Sequence, residues 1–195
     1  NAGFKIGDGF INLTGEYIDR GETNRAGPDS LRVSPPRVTQ RIGDADMTSK
    51  ALWFNGGLPL GEIELYAFGG ISQREANSSG FYRSAGDGRT IPALYPNGFL
   101  PTLLTTADDW SVALGLRGKI NDSWDYDVSL NSGSSEFNFS TANSANVSWY
   151  YEPRPGGGIY GDTPRDADDG TLRFNQLTFN ADPKGSTDWG IGTAP

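Results

Sequence analysis

Trp110-Ser111-Val112-Ala113-Leu114-Gly115-Leu116-Arg117-Gly118-Lys119-Ile120, then Asn121-Asp122-Ser123, then Trp124-Asp125-Tyr126-Asp127-Val128-Ser129-Leu130 is the stretch that decides the fold. Trp110, Val112, Leu114, Leu116 and Ile120 alternate with Ser111, Ala113, Arg117 and Lys119. A period of two puts the first set on one face of a strand and the second on the other. Asn121-Asp122-Ser123 turns the chain, and the rule resumes with Trp124, Tyr126, Val128 and Leu130 against Asp125, Asp127, Ser129 and Asn131. The segment predicts a β-hairpin with one apolar face.

Outward from this hairpin the pattern repeats. In 9–20, Ile11, Leu13 and Tyr17 oppose Asn12, Thr14 and Glu16. In 62–74, Ile63, Leu65, Ala67 and Ile71 oppose Glu62, Glu64, Tyr66 and Ser72, and Leu58-Pro59-Leu60-Gly61 joins this strand to one over 50–58. Leu172 and Phe174 are out of phase with Leu177, Phe179 and Ala181, which predicts a bulge or a half-buried end in a strand over 171–182. The expected organisation is a single domain over 1–195 with strands at about 9–20, 50–58, 62–74, 108–120, 124–139 and 171–182. A seventh strand is expected after Asp182-Pro183-Lys184-Gly185.

The connections alternate in length. Tight turns are expected at 59–61, 121–123 and about 183–185, and long loops rich in Gly, Pro, Asn and Ser at 21–49, 75–107 and 140–170. Loops of that length are uncommon within a compact soluble domain. An antiparallel up-and-down meander of six or seven strands, with short turns at one end and long loops at the other, has the asymmetry of a transmembrane β-barrel. Trp110 and Trp124 then stand near opposite interfaces. Closed outer-membrane barrels have at least eight strands, so the sheet is expected to be open if isolated. The competing reading is a soluble secreted β-domain that binds saccharide or protein, whose apolar face is its core.

Composition narrows the chemistry. The 195 residues include 27 Gly, 12 Pro, 5 Trp, 8 Tyr and 10 Phe, a balance suited to strands and turn-rich loops. Mean hydropathy is −0.50, and no apolar run approaches the ~20 residues of a membrane-spanning helix. The chain has no Cys and no His, which removes disulfides, thiolate sites, the usual general base and the commonest transition-metal ligand. A net charge of −8 gives no basic footprint for nucleic acid. The start shows no charged leader followed by an apolar segment, and the end, Trp189-Gly190-Ile191-Gly192-Thr193-Ala194-Pro195, breaks off within a pattern, so both ends are expected to be cut.

The quoted order of motifs resembles a known family. Gly9-Phe10-Ile11-Asn12-Leu13-Thr14-Gly15-Glu16-Tyr17 with Thr23-Asn24-Arg25-Ala26, then Arg41-Ile42-Gly43-Asp44, resemble an early barrel strand and loop of the TonB-dependent receptors. Glu64-Leu65-Tyr66-Ala67-Phe68-Gly69-Gly70, Gly80-Phe81-Tyr82-Arg83, Tyr95-Pro96-Asn97-Gly98-Phe99-Leu100-Pro101, Leu114-Gly115-Leu116-Arg117-Gly118 and 124–130 continue the resemblance to about residue 180. It implies a 22-stranded outer-membrane barrel of a Gram-negative bacterium, with a plug domain, driven by TonB, taking up an iron chelate, a vitamin or a saccharide. This chain lacks the family's plug, TonB-contact segment and terminal strand, and corresponds to about the first third of the barrel. Its implied partners are outer-membrane lipid, the plug, the remaining strands, TonB through the plug and an unidentified small molecule.

Candidate sites are few, and no enzyme activity or cofactor is expected. Loop aromatics Tyr82, Tyr95, Phe99, Trp149, Tyr150 and Tyr151, with Arg83 and Arg89, suit stacking on a ligand at a barrel mouth, and equally suit packing the loops together. Asp125 and Asp127 are the paired carboxylates a glycosidase would need across a cleft, yet their place on a polar strand face points to solvated residues. Asp162, Asp166, Asp168 and Asp169 lack the Glu that would complete an EF-hand, and Gly156-Gly157-Gly158 reads as loop.

Overall fold

The computed structural model describes residues 1–185. They form one open seven-stranded antiparallel sheet in sequence order: β1 (Ala2–Ile6), β2 (Gly9–Arg20), β3 (Asp46–Leu60), β4 (Ile63–Ser79), β5 (Thr102–Asn121), β6 (Trp124–Ala142) and β7 (Ala167–Gly185). One short helix, α1 (Val147–Tyr151), lies between β6 and β7, with the Asn146 side chain accepting from Trp149 N–H at its start. The expected meander is present, with all its tight turns at one end and all its long loops at the other.

The strands differ from the expectation in four ways. β1 was unanticipated; Phe4 and Ile6 alternate with Lys5, and Gly7, at φ 58°, turns the chain into β2. The strands run several residues further toward the loops, so the long connections shorten to 21–45, 80–101 and 143–166. Pro59 and Leu60 belong to β3, and the turn is Gly61-Glu62 with Gly61 at φ 69°. Finally, 183–185 is not a turn: Pro183 and Gly185 pair with Tyr126 and Trp124, so β7 is 19 residues long. The strand expected after Gly185 lies outside the described residues.

Directly paired residues share a face, so the register assigns every strand side chain to one side. On the side of Leu114, the turn-proximal half carries Phe4, Ile11, Leu13, Phe54, Leu58, Leu65, Ile71, Trp110, Val112, Leu116, Val128, Leu130, Leu177 and Phe179. No second layer of the described residues covers them: Trp110 is 45% and Leu114 54% exposed. Trp110 and Trp124 bound this band at opposite ends, ten residues apart along β6 by their pairing, or roughly 33 Å at ~3.3 Å per residue.

Beyond Trp110 the same face turns polar, with Lys50, Gln73, Asp108, Glu136 and Arg173 in one row. The opposite side, that of Ala113, does the reverse. Near the turns it carries Asn12, Glu64, Arg117, Lys119, Asp125 and Asp127, and near the loops Ile18, Met47, Ala76, Leu103, Ala107, Phe137, Phe139 and Leu172. The amphipathic phase therefore inverts along each long strand while the backbone stays regular. This explains Leu172 and Phe174: pairing is unbroken from Thr171 to Gly185, so no bulge separates them from Leu177. The irregularity sits between Phe139 and Ser140, where Gly170 at φ 113° makes room for Asp169.

Candidate functional site

Three long loops meet at one end of the sheet and hold one another. Arg37 Nη2 of the first donates to Asn97 O at 2.6 Å and to Tyr82 Oη at 3.0 Å in the second, and Tyr82 Oη in turn donates to Asn97 O. Arg41 pairs with Glu22 and donates to Asn77 O at the end of β4 at 2.7 Å. Between the second and third loops, Tyr95 Oη donates to Ser144 O at 2.9 Å, Asn143 Nδ2 to Leu100 O at 2.9 Å, and the Arg165 guanidinium lies 5.8 Å from the Tyr95 ring centroid. Asn143 takes the left-handed conformation, φ 51°, which Asn tolerates better than most residues.

The second loop has its own small core. Ile91 is fully buried and Phe99 nearly so, with the Tyr95 ring 4.2 Å from that of Phe99. Arg83 and Phe99 exchange both backbone hydrogen bonds, at 2.8 and 2.9 Å. Of the eight residues singled out for ligand contact, Tyr82, Arg83, Tyr95 and Phe99 are thus brought together as loop packing, with both tyrosine hydroxyls and the Phe99 ring engaged internally. Trp149 stands apart from them, 52% exposed, on the wall of a groove of about 660 Å³ between Gly88-Arg89 of the second loop and α1 and Arg165 of the third.

The carboxylates of the loops and of the start of β7 accept from neighbouring backbone and side-chain donors. Asp87 takes a two-pronged contact from Arg89, at 2.9 and 2.7 Å, and accepts from Arg89 N–H; these hydrogen bonds and the cation hold its carboxyl well below the usual range and raise the Arg89 pKa. Asp29 loses solvent, which pushes its pKa up, but hydrogen bonds from Arg32 N–H, Thr39 Oγ1 and Leu31 N–H outweigh that and leave it lowered. Asp162, Asp166, Asp168 and Asp169 accept from Thr163 N–H, Asn143 N–H, Asn138 Nδ2 and Thr141 Oγ1 respectively. Among the described residues no group of three acidic side chains is placed to hold a metal ion. Gly156, Gly157 and Gly158 all have positive φ and close a turn through Arg154 N–H to Gly158 O at 3.0 Å.

On the Ala113 face, the turn end holds a connected cluster. Arg117 forks onto Glu64 at 3.0 and 2.8 Å, its guanidinium lies 5.4 Å from the Tyr66 ring centroid, and Tyr66 Oη donates to Asp127 at 2.6 Å. Asp127, one of the paired carboxylates, is thereby committed to a structural contact. Nearby aromatic rings lie over cross-strand glycines: a Cβ at Gly115 would meet the Tyr66 ring at 2.2 Å, and one at Gly70 the Trp53 ring at 2.4 Å. These glycines let Tyr66 and Trp53 lie across the neighbouring strand. Further toward the loops, Trp53, Phe68 and Phe174 flank a groove of about 540 Å³ floored by Gly70, Ala113 and Gly133.

Sequence reasoning missed the aromatic surface on this face, although Trp53, Phe68, Phe137, Phe139 and Phe174 all fall within the expected strands, because it gave each strand a single apolar face. The signal was present in Phe137-Asn138-Phe139, whose alternation is out of phase with Val128 and Leu130. No protein-family model, curated protein or solved structure matches the chain.

Proposed function

We propose that this chain forms part of the wall of an outer-membrane β-barrel importer of the TonB-dependent receptor type in a Gram-negative bacterium, taking up a scarce extracellular ligand such as an iron chelate, a vitamin or a saccharide. The observation that carries this reading is the bare apolar band on the Leu114 face. From Trp110 to Ile120 it is eleven residues deep, close to the ~9–11 residues with which a tilted strand crosses a bilayer. Across seven strands ~4.8 Å apart it measures about 1,000 Å², well above the ~300–600 Å² of the largest patch on a typical soluble monomer.

In this arrangement the Leu114 face meets lipid and the Ala113 face lines the passage. The turns point to the periplasm and the locked loops to the medium. Further strands, a plug and TonB complete the machine. The remaining wall pairs with the outer strands, so the open edges are interior positions of a larger sheet.

Cysteine accessibility tests the orientation, since the chain has no Cys of its own. Ala93→Cys in the second loop and Asp122→Cys in the β5–β6 turn are introduced singly into the full-length protein. A membrane-impermeant maleimide is expected to label Ala93→Cys on intact cells, and Asp122→Cys only after the outer membrane is permeabilised. Equal labelling of both on intact cells, or recovery of the protein in the soluble fraction, overturns the proposal.

A further inference from the structure

Charge is absent from the middle of the Ala113 face. From β2 to β7 the rows of Ser111, Ala113 and Gly115 carry no charged side chain, in a chain of which 21% is charged. Charges of both signs return on either side. Toward the loops these are Glu16 and Asp109 with Arg74 just beyond, and toward the turns Glu64, Asp127 and Asp182 with Arg117. The row of Ala113 reads Asn12, Asn55, Phe68, Ala113, Asn131 and Thr178 from β2 to β7. The side chains of Asn12, Asn55 and Asn131 have no hydrogen-bond partner among the described residues, whereas nearby Gln176 donates to Thr178 and Asn180 to Ser129. Beside these open amides the Trp53 ring lies over Gly70, and Phe68 stands two residues from Gly70 along β4; the two rings' residues are 45% and 51% exposed. Both wall the groove of about 540 Å³ that Asn131 also lines, a volume within the ~300–1,000 Å³ of small-molecule sites.

We infer that this charge-free belt is a binding site for a neutral saccharide. An amide offers donors and an acceptor together, which matches hydroxyl groups, each of which both donates and accepts. An anionic group would leave the amide oxygens unmatched, and an ammonium the amide nitrogens. Either charge would also be stripped of water with no counter-ion in these rows. A purely apolar ligand would cover the amides without pairing them. A sugar ring meets both demands: its C–H face lies against Trp53 and Phe68, whose rings give broad apolar area, and its hydroxyl edge reaches Asn131. Of the ligands such an importer takes up, this chemistry selects the saccharide. The inference deepens the proposed function and rests on it, because there this face lines the passage.

The test is a calorimetric titration of the full-length protein in lipid nanodiscs. The probes are neutral trisaccharides of glucose, mannose, galactose and xylose, with trigalacturonate and tri-glucosamine as anionic and cationic counterparts. At least one neutral trisaccharide is expected to bind tenfold or more tightly than either charged one. Phe68→Leu keeps an apolar side chain but removes the ring, and Asn131→Leu keeps the size but removes the amide; each is expected to weaken that binding at least fivefold. Arg74→Gln, outside the charge-free rows, is expected to change nothing. Four outcomes overturn the inference: no neutral trisaccharide binds, a charged one is preferred, Phe68→Leu and Asn131→Leu both leave the affinity unchanged, or Arg74→Gln matters as much as Asn131→Leu. The cysteine labelling above reports on the membrane reading independently: a soluble protein that still prefers the neutral trisaccharide refutes that reading and retains the site, and the converse refutes only the site.

Discussion

Leu114→Arg is the most direct test of what covers the apolar face. Leu114 lies four residues from Trp110 and six from Ile120, about 13 and 20 Å along the strand from the two limits of the apolar band. In a bilayer that is close to the midplane, where an arginine on the lipid face of a barrel costs ~2–4 kcal/mol, falling to ~0–1 kcal/mol near the interfaces. Thr106 is on the same face, eight residues toward the loops in the polar region, so Thr106→Arg is expected to cost under ~1 kcal/mol. Ser111 points to the opposite, polar side and is exposed, so Ser111→Arg is expected to stay within ~0.5 kcal/mol. Guanidinium unfolding of the full-length protein in lipid vesicles, followed by tryptophan fluorescence, resolves differences of this size. At ~3 kcal/mol the folded-to-unfolded ratio falls about 150-fold for Leu114→Arg alone. A Leu114→Arg variant no less stable than Ser111→Arg would refute the lipid contact.

Other consequences follow from the packing. Gly70→Ala is expected to destabilise by ~1–3 kcal/mol and to change the emission of Trp53, because the added Cβ falls 2.4 Å from that ring, whereas Gly15→Ala meets nothing within 4 Å and is tolerated; parallel unfolding curves measure the contrast. Arg37→Ala removes the donor to both Tyr82 and Asn97, and hydrogen exchange across 80–101 is expected to accelerate about tenfold with the sheet unaffected. Because the Asp87 carboxyl is held below its unfolded value, its stabilising contribution is full above the ordinary carboxylate range near pH 4 and is lost only as pH falls through its own lower pKa. Protection of Arg89 and Thr90 amides is therefore expected to persist from pH 7 to 4 in the wild type and to be weakened throughout by Asp87→Asn.

The hairpin of β5 and β6 was legible because Trp110 to Leu116 and Trp124 to Leu130 keep one phase and share a two-residue turn, in which Asn121 Oδ1 accepts from Ser123 N–H at 2.9 Å. Legibility failed where the phase changed. One apolar face per strand accounts for Leu130 but not for Phe137, which lies on the opposite face of the same strand, and the register of β6 with β5 continues unbroken past it to Ala142. What changes there is the surroundings of the sheet rather than its backbone. β1 escaped notice because five residues offer only two apolar side chains to alternate. The loop aromatics were recognised as a group, but whether Tyr82 and Tyr95 face a ligand or other loops depends on Arg37 and Ser144, which are distant in sequence and carry no local signal.

The inverted phase also protects the pairing itself. In an ordinary one-sided sheet a slip of one residue exchanges a core face for a solvent face, a single penalty. Here an odd slip of β5 against its neighbours would carry Asp109 and Arg117 to the Leu114 side and, at the other end of the same strand, would turn Leu103 and Ala107 out among carboxylates. The two halves act as independent keys to one lock, so a misaligned strand is rejected twice, and the longest strands of the sheet are also the ones whose alignment is most firmly specified.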